Sequence, residues 1–230
     1  MSHPYRAMAA VKGKGSEVLM NRVETALINS PPPAVAATFL RSAGTAALRG
    51  GRIPPGSTAL EIGCGPGYGS QLVLQRFGAD RIDALDLDPT MIDRARKRLA
   101  PCGNRVTLVR GSATDLRAAL DADDDSYDAV FDFGIIHHIP QWRTAVAEAA
   151  RVLAPPGGRF YFEEVTKHAL DRPTYRRLFD HPTDDRFTAE QFVDELRRHG
   201  LLILGSVTRI RGGDYLLGVA TKPLVNGGAR

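Results

Sequence analysis

The sequence predicts an α/β protein in which a mostly parallel sheet is covered by helices on both faces. Two observations predict this class. Short apolar runs alternate with helical segments from residue 57 onward, and a glycine-rich turn follows the first of these runs. The composition agrees, because 230 residues with 43% hydrophobic and 24% charged residues suit a compact domain with a sizeable core.

Seven apolar runs are predicted as strands. The first five each lead into a helix, which favours parallel pairing through helical crossovers. The connection between the last two runs, residues 211–214, is too short for a helix, so these two strands are predicted to be antiparallel. The predicted strands are residues 58–62, 81–86, 105–109, 127–133, 159–165, 201–207 and 215–221.

Capping signals mark the helices between these strands. Asp88 is a predicted N-cap with Pro89 at the first helical position. Thr188 and Gln191 form a predicted capping box, and Phe187 is placed to pack on Phe192. The predicted helices are residues 70–77, 89–99, 116–120, 142–153 and 188–199.

The first 50 residues are predicted to be an N-terminal helical cap, and residues 51–230 a single compact domain. Apolar spacing predicts two helices within residues 16–48, separated by a proline-rich break. These helices would either roof the ligand pocket or pair with a second chain, so a homodimer is one candidate assembly.

Charge and hydropathy argue against several classes of protein. The net charge is only +4 and acids lie close to most basic residues, so neither nucleic acid nor a membrane is predicted as a partner. No apolar stretch approaches the roughly 18 residues needed to cross a bilayer, and the N-terminus has no apolar signal core. Two cysteines form no disulfide framework, so a cytoplasmic location is predicted.

The turn after the first strand is rich in glycine and reads EIGCGPGYG over residues 61–69. Glycines there let the backbone approach a ligand closely, since no Cβ intervenes. A dinucleotide-binding turn requires G-x-G-x-x-G, but this spacing puts Pro66 or Tyr68 where the third glycine is needed. A nicotinamide-dependent oxidoreductase is therefore not favoured.

An acid followed by G-x-G-x-G resembles the first motif of the class I S-adenosylmethionine-dependent methyltransferases. The resemblance implies a Rossmann-like three-layer sandwich with a mostly parallel seven-stranded sheet and an antiparallel final strand, and S-adenosyl-L-methionine as cofactor. In this family the turn lies against the methionine part of the cofactor, which implies contacts from Glu61, Gly63, Cys64, Gly65, Gly67 and Tyr68. Tyr68 would either close over the cofactor or simply pack.

The second predicted strand ends on Asp86, 19 residues after Gly67. A carboxylate at this point can accept hydrogen bonds from both ribose hydroxyls of a nucleoside. The family resemblance assigns Asp86 to the ribose and places Leu87 and Met91 beside the adenine.

The loops after the third and fourth strands extend the resemblance, which covers about residues 57–165. The family usually has Gly-Asp-Ala after strand three, whereas Ser112 and Ala113 follow Gly111 here, so Ser112 or Asp115 is the candidate for the adenine amino group. Residues 127–140 and 151–158 resemble the ubiquinone/menaquinone-biosynthesis-like branch of small-molecule methyltransferases, which places Phe133 at the cofactor.

Two adjacent histidines and one glutamate are the candidate catalytic residues. A neutral imidazole can accept a proton near pH 7, so His137 and His138 are candidate bases, of which at most one lines the acceptor pocket. Glu163 and Glu164 point in opposite directions at the end of a strand, so one of them can reach the pocket, and Glu163 is the candidate. His168 and these acids show no compelling ligand spacing, so no metal is predicted.

The sequence therefore predicts an enzyme that transfers a methyl group from S-adenosylmethionine to a small-molecule acceptor by direct displacement. The accepting atom, oxygen, nitrogen or carbon, is left open. One alternative is a sensor or scaffold that binds S-adenosylmethionine without transfer. The other is a nucleic-acid methyltransferase, although residues 133–136 read FGII where DNA amino-methyltransferases carry an Asp/Asn-Pro-Pro-aromatic motif.

Overall fold

Strands and helices alternate along residues 52–223, the part of the chain that the computed structural model describes. The predicted helical cap, residues 1–50, lies outside the described residues. The strands are β1 (Thr58–Ile62), β2 (Arg81–Asp86), β3 (Val106–Arg110), β4 (Ala129–Phe133), β5 (Arg159–Val165), β6 (Leu202–Ile203), β7 (Thr208–Ile210) and β8 (Tyr215–Thr221).

Two helices begin where the capping signals predict them, after Asp88 and after Thr188. Asp88 accepts a hydrogen bond from Thr90 N at 2.8 Å, and the Thr188–Gln191 capping box is made in both directions. Phe187 and Phe192 pack with ring centroids 5.0 Å apart, as predicted. The helices are α1 (Tyr68–Leu72), which continues as a π-helical turn (Val73–Phe77), α2 (Pro89–Leu99), α3 (Leu116–Leu120), α4 (Trp142–Val152), α5 (Lys167–Leu170), α6 (Pro173–Leu178) and α7 (Ala189–Arg198).

All the strands belong to one sheet, in the order β3-β2-β1-β4-β5-β8-β6, with β7 also paired to β8. Strands β1 to β5 pair in parallel, and β8 runs antiparallel to β5, β6 and β7. This confirms the mostly parallel sheet with an antiparallel final strand. The order reverses between β1 and β4, and a crevice at the carboxyl ends of such strands is where ligands of these sheets bind.

Only Leu202–Ile203 (β6) of the sixth predicted strand, residues 201–207, forms a strand, and β7 (Thr208–Ile210) begins just after the predicted end. Ile203 pairs with Ala220 and Thr208 with Leu217, so four residues on this side face only two on β8. The bulge contains Gly205 with a φ of 70°, a conformation that glycine adopts readily. Within residues 52–223 the sheet therefore has eight strands where seven are predicted, because apolar periodicity does not reveal a bulge.

Apolar side chains fill the space between the sheet and the helices on each face. On one face Leu60, Val130 and Phe162 pack with Trp142 of α4 and Phe192 of α7. On the other face Ala59, Phe131 and Tyr161 pack with Phe77 at the end of the π-helical turn. None of the helices between residues 52 and 223 is long and apolar enough to span a membrane.

Buried acids interrupt this apolar pattern at the carboxyl ends of the central strands. They are Glu61 on β1, Asp86 on β2, Asp132 on β4, and Glu163 and Glu164 on β5. Burying a charged group without partners is costly, so this concentration of buried acids indicates a candidate functional site.

Candidate active site

The glycine-rich turn leads from β1 into α1 with three residues in the left-handed region. Gly63, Gly65 and Gly67 have φ values of 67°, 51° and 86°. A Cβ on Gly63 would overlap Ile135, and one on Gly67 would lie 3.0 Å from the Leu99 side chain, whereas one on Gly65 would meet no described atom within 4 Å. The outer glycines thus pack against protein, and the middle one faces open space.

Asp86 connects this turn to the end of β2. Its side chain is buried, with Oδ2 accepting from Gly65 N at 2.8 Å and Oδ1 from Asp88 N at 2.9 Å. Burial raises the pKa of Asp86, and the two backbone N–H bonds oppose that rise. Each carboxylate oxygen has two acceptor sites, so both oxygens can still accept from hydroxyl groups of a ligand.

Glu61 ends β1 against the first turn of α1. It is fully buried, accepts a hydrogen bond from Ser70 Oγ, and has a pKa that burial raises to about 8. A Cβ on Gly69 would overlap Glu61 Oε1 and crowd the Phe133 ring. Gly69 therefore allows Glu61, Ser70 and Phe133 to share one small space next to the turn.

The loop after β3 lies beside Asp86, because Gly111 N donates to Asp86 O at 3.1 Å. Ser112 Oγ lies 2.7 Å from Thr114 Oγ1, and Ala113 is buried. Asp115 caps α3 by accepting from Ala118 N at 2.9 Å. The carboxylate of Asp115 thus has a structural partner, a role that the sequence left open.

The other predicted cofactor residues flank this space. Met91 is buried in α2, Leu87 is half-buried just after β2, and Cys64 is buried in the turn with its N–H bonded to Leu85 O at 2.8 Å. Tyr68 begins α1, and the Arg98 guanidinium lies 3.4 Å from its ring centroid. Arg98 also donates to Pro66 O at 2.9 Å, so one face of Tyr68 packs against a residue that the sequence analysis did not single out.

Both predicted histidines lie in a 3₁₀ turn (Ile136–His138) that follows β4, and both are buried. His137 Nδ1 lies 2.6 Å from Glu164 Oε2. Glu164 also accepts from Ile136 N at 2.6 Å and from Val165 N at 3.0 Å. The carboxylate of Glu164 therefore fixes the orientation of the His137 ring.

Asp132 supports this arrangement from β4. Its Oδ1 accepts from Gly134 N at 3.1 Å and Ile135 N at 3.0 Å, and its carboxyl lies close to that of Glu164. Burial raises the pKa of both acids. Two buried carboxyls this close hold one proton between them at neutral pH, and we place it on Asp132 because Glu164 accepts three backbone N–H bonds and also contacts His137, whereas Asp132 accepts two.

Glu163 lies on the opposite face of β5 from Glu164, because side chains alternate along a strand. It pairs in register with Phe133 and is 3% exposed, and its Oε2 has no hydrogen-bond partner among the described residues. Burial raises the pKa of Glu163 to about 9. Of the two glutamates that the sequence left open, Glu164 contacts His137 and Glu163 does not.

The pH dependence of stability is expected to change in Glu163→Gln. The folded-state pKa of about 9 lies above the ordinary 4.5, so between these values only the folded state holds the proton. The contribution of Glu163 to the free energy of unfolding is therefore fully present at low pH. It falls as the pH rises between these two values, by up to about 1.4 kcal/mol per pH unit. The glutamine variant, which mimics the protonated acid, should show a shallower fall when urea unfolding is measured across this range.

The matched control for this change is Glu190→Gln at the exposed start of α7. The pKa of Glu190 is lowered by hydrogen bonds and by Arg209. Its replacement by glutamine should therefore leave the fall of the free energy of unfolding with rising pH as steep as in the wild type. Equal pH slopes in the wild type and in Glu163→Gln would contradict the buried, protonated state of Glu163.

A third histidine lies beside the first two, in the stretch between β5 and α7 that the sequence offers as a second candidate roof of the acceptor pocket. His181 belongs to the connection between α6 and α7, and its ring centroid is 5.2 Å from that of His137 and 4.6 Å from that of His138. His168, which the sequence analysis weighed instead, pairs with Asp214 at 2.8 Å. No local spacing links His181 to the other two, since it lies 44 residues after His137.

The sheet order, with helices on both faces and a glycine turn after β1, defines a Rossmann-like fold. The described fold is similar to the PH0226 protein from Pyrococcus horikoshii OT3, with a TM-score of 0.67, 17% identity, and coverage of 86% of this chain and 95% of that chain. Residues 59–157 match the family described as "Methyltransferase domain". These findings confirm the resemblance to the class I S-adenosylmethionine-dependent methyltransferases, a class whose cofactor is S-adenosylmethionine.

Curated relatives share this region. The chain is 34% identical over 146 residues to malonyl-[acyl-carrier protein] O-methyltransferase from Halorhodospira halophila, covering 59% of this chain and 48% of the relative. It is 32% identical over 114 residues to ubiquinone biosynthesis O-methyltransferase from Xanthomonas axonopodis pv. citri, covering 50% of this chain and 45% of the relative. The chain thus spans about half the length of these relatives.

Proposed function

We propose that this protein catalyses methyl transfer from S-adenosylmethionine to a small-molecule acceptor by direct displacement. The observation that carries the proposal is the hydrogen bond from Gly65 N to Asp86 Oδ2. Gly65 faces open space, and its N–H is bonded to a buried carboxylate that retains acceptor sites. This arrangement suits S-adenosylmethionine, because the glycine backbone can contact its methionine part and the Asp86 carboxylate can accept hydrogen bonds from its ribose.

In our proposal, different residues near Gly65 and Asp86 contact the ribose, the adenine and the methionine part of the cofactor. Asp86 accepts the ribose hydroxyls, while Leu87 and Met91 contact the adenine. The loop from Ser112 to Ala113 faces the adenine edge, since Asp115 caps α3. The methionine part lies along the turn, in contact with Glu61, Gly63, Cys64, Gly65, Gly67, Tyr68 and Phe133.

The acceptor is proposed to lie next to the His137–His138 turn, which is joined to the cofactor space through Ile135 and Gly63. The bound cofactor supplies an electrophilic methyl group, so the protein's main tasks are alignment and exclusion of water. His137 accepts the acceptor's proton at Nε2, because Glu164 holds Nδ1 and stabilises the imidazolium that forms. His138 packs against His137, at 4.3 Å between ring centroids, and borders the same space.

Glu163 serves as a hydrogen-bond donor to the acceptor rather than as a base in this proposal. Its raised pKa keeps the carboxyl protonated at neutral pH, and a protonated carboxyl donates one hydrogen bond. The acceptor is proposed to be small because the names of the curated relatives include small-molecule methyltransferases, among them one of ubiquinone biosynthesis and "2-methyl-6-phytyl-1,4-hydroquinone methyltransferase".

Turnover of the methyl donor tests the proposal. The purified full chain is incubated with methyl-labelled S-adenosylmethionine and a panel of phenolic, hydroquinone and carboxylate acceptors. Formation of S-adenosylhomocysteine together with a labelled product is expected for at least one acceptor. Tight cofactor binding without product on the whole panel and in a metabolite extract would instead favour a sensor or scaffold.

Assembly and location extend the proposal. We propose a cytoplasmic enzyme, because the two cysteines form no disulfide framework. Because the net charge is only +4 and acids lie close to most basic residues, we propose neither nucleic acid nor a membrane as its partner. The homodimer rests on residues 16–50, outside the described part of the chain. Light scattering of the purified protein would contradict it by returning the mass of one chain.

A further inference from the structure

Three imidazole rings meet beside the end of β4. The ring centroids of His137 and His138 are 4.3 Å apart, and those of His181 lie 5.2 and 4.6 Å from the first two. Each ring offers a nitrogen, and the three nitrogens lie within 4.8 Å of one another. His137 and His138 are buried and His181 is half-buried, so the cluster is largely shielded from solvent.

These separations match those of a metal site with three histidine ligands. With nitrogens about 2.0–2.1 Å from a tetrahedral zinc ion, the ring centroids lie about 5 Å apart. The observed centroid separations of 4.3 to 5.2 Å bracket that value.

The orientation of His137 is also that of a metal ligand. Histidines that bind metals usually donate their second N–H to a carboxylate or a backbone carbonyl, which fixes the tautomer. Glu164 Oε2 lies 2.6 Å from His137 Nδ1 and is itself held by backbone N–H groups. This arrangement presents Nε2 of His137 to the cluster.

The segment that carries His181 is held in place by side chains around it. Arg186 has a buried side chain that donates to Pro182 O at 2.6 Å and to Leu170 O at 3.0 Å. Trp142 Nε1 donates to Asp185 O at 2.9 Å. These bonds fix the backbone next to His181 and keep its ring near the other two.

We propose that His137, His138 and His181 form a binding site for a divalent transition-metal ion of the class that prefers imidazole nitrogen, such as Zn²⁺. Three protein ligands leave a fourth position for water or an oxygen ligand. Binding of the ion is independent of methyl transfer. Its effect on turnover rests on the proposed function: His137 Nε2 cannot hold an ion and accept a proton together, so saturating Zn²⁺ suppresses the transfer.

Titration of the tag-free full chain with Zn²⁺ alone, and with Co²⁺ as a spectroscopic probe, tests the site. One ion per chain and the visible bands of tetrahedral Co²⁺ are expected. His181→Ala, in an exposed connection, should abolish the bands, and Glu164→Gln should weaken Zn²⁺ binding about 10–100-fold. The affinity should also fall at acidic pH, because the ligands must be deprotonated.

His168→Ala is the matched control, since His168 also pairs with a carboxylate but lies outside the cluster. It should leave Zn²⁺ binding and the Co²⁺ spectrum unchanged. The proposal is overturned if the wild type binds neither ion, or if His168→Ala weakens binding as much as His181→Ala. Because these readouts need no methyl donor, failure of the proposed function would leave them unchanged.

Discussion

Replacement of His137 by alanine is expected to lower kcat for methyl transfer by about 10²–10⁴-fold, the range that a positioned general base contributes. The structure gives the reason, because Glu164 holds Nδ1 and leaves Nε2 to accept the proton. The affinity for S-adenosylmethionine should stay unchanged, since none of the residues proposed to hold the cofactor belongs to the Ile136–His138 turn. Single-turnover kinetics and calorimetry separate the two effects.

Two further variants distinguish a base from a residue needed only for folding. Glu164→Gln should shift the pH profile of kcat, because the amide cannot stabilise an imidazolium as the carboxylate does. His168→Ala, at a residue with no contact to the cluster in the described structure, should retain wild-type kcat. An unchanged kcat in His137→Ala would remove His137 as the base.

Replacement of Asp86 by alanine is expected to weaken cofactor binding by about 1–3 kcal/mol, which is about 5- to 150-fold in Kd. Two losses combine in this variant. The ribose loses its proposed acceptor, and the N–H of Gly65 loses the carboxylate that fixes the turn. Asp86→Asn keeps one acceptor oxygen, so its Kd should fall between those of the wild type and the alanine variant.

Asp88→Ala is the matched control for this measurement. Asp88 is the N-cap of α2 and follows the same strand, but its carboxylate bonds Thr90 N. Its loss should cost about 0.5–2 kcal/mol of stability with little change in Kd. Calorimetry with S-adenosylhomocysteine measures both variants, and an Asp86→Ala Kd equal to that of the wild type would remove Asp86 from the site.

Where the signal lies in neighbouring residues, the sequence predicts the first and last residues of the element correctly. β1, β2, β5, β8 and α2 have the predicted bounds. Caps, proline positions and apolar periodicity are local properties, so they can be recognised without knowing what the element packs against. The glycine turn and Asp86 were recognisable for the same reason, because their spacing along the chain is itself the signal.

Bounds that depend on a partner strand were less accurate. β4 begins at Ala129 rather than 127, because Tyr127 forms an isolated bridge with Leu153. α1 begins at Tyr68, two residues before the predicted start, and its second half is π-helical. The bulge between β6 and β7 follows from the register against β8, which no pattern within residues 201–207 reveals.

The acidic and histidine cluster shows most clearly where tertiary packing was needed. Alternation along β5 predicted that only one glutamate would face a given side, and the position of the turn after β4 selects Glu164 as the partner of His137. Asp132 joins the pair because β4 lies beside β5, and His181 arrives from a loop held by Arg186 and Trp142. These contacts join residues that are distant along the chain. The sequence therefore determines which chemical groups are present, and only the tertiary packing determines which of them lie together.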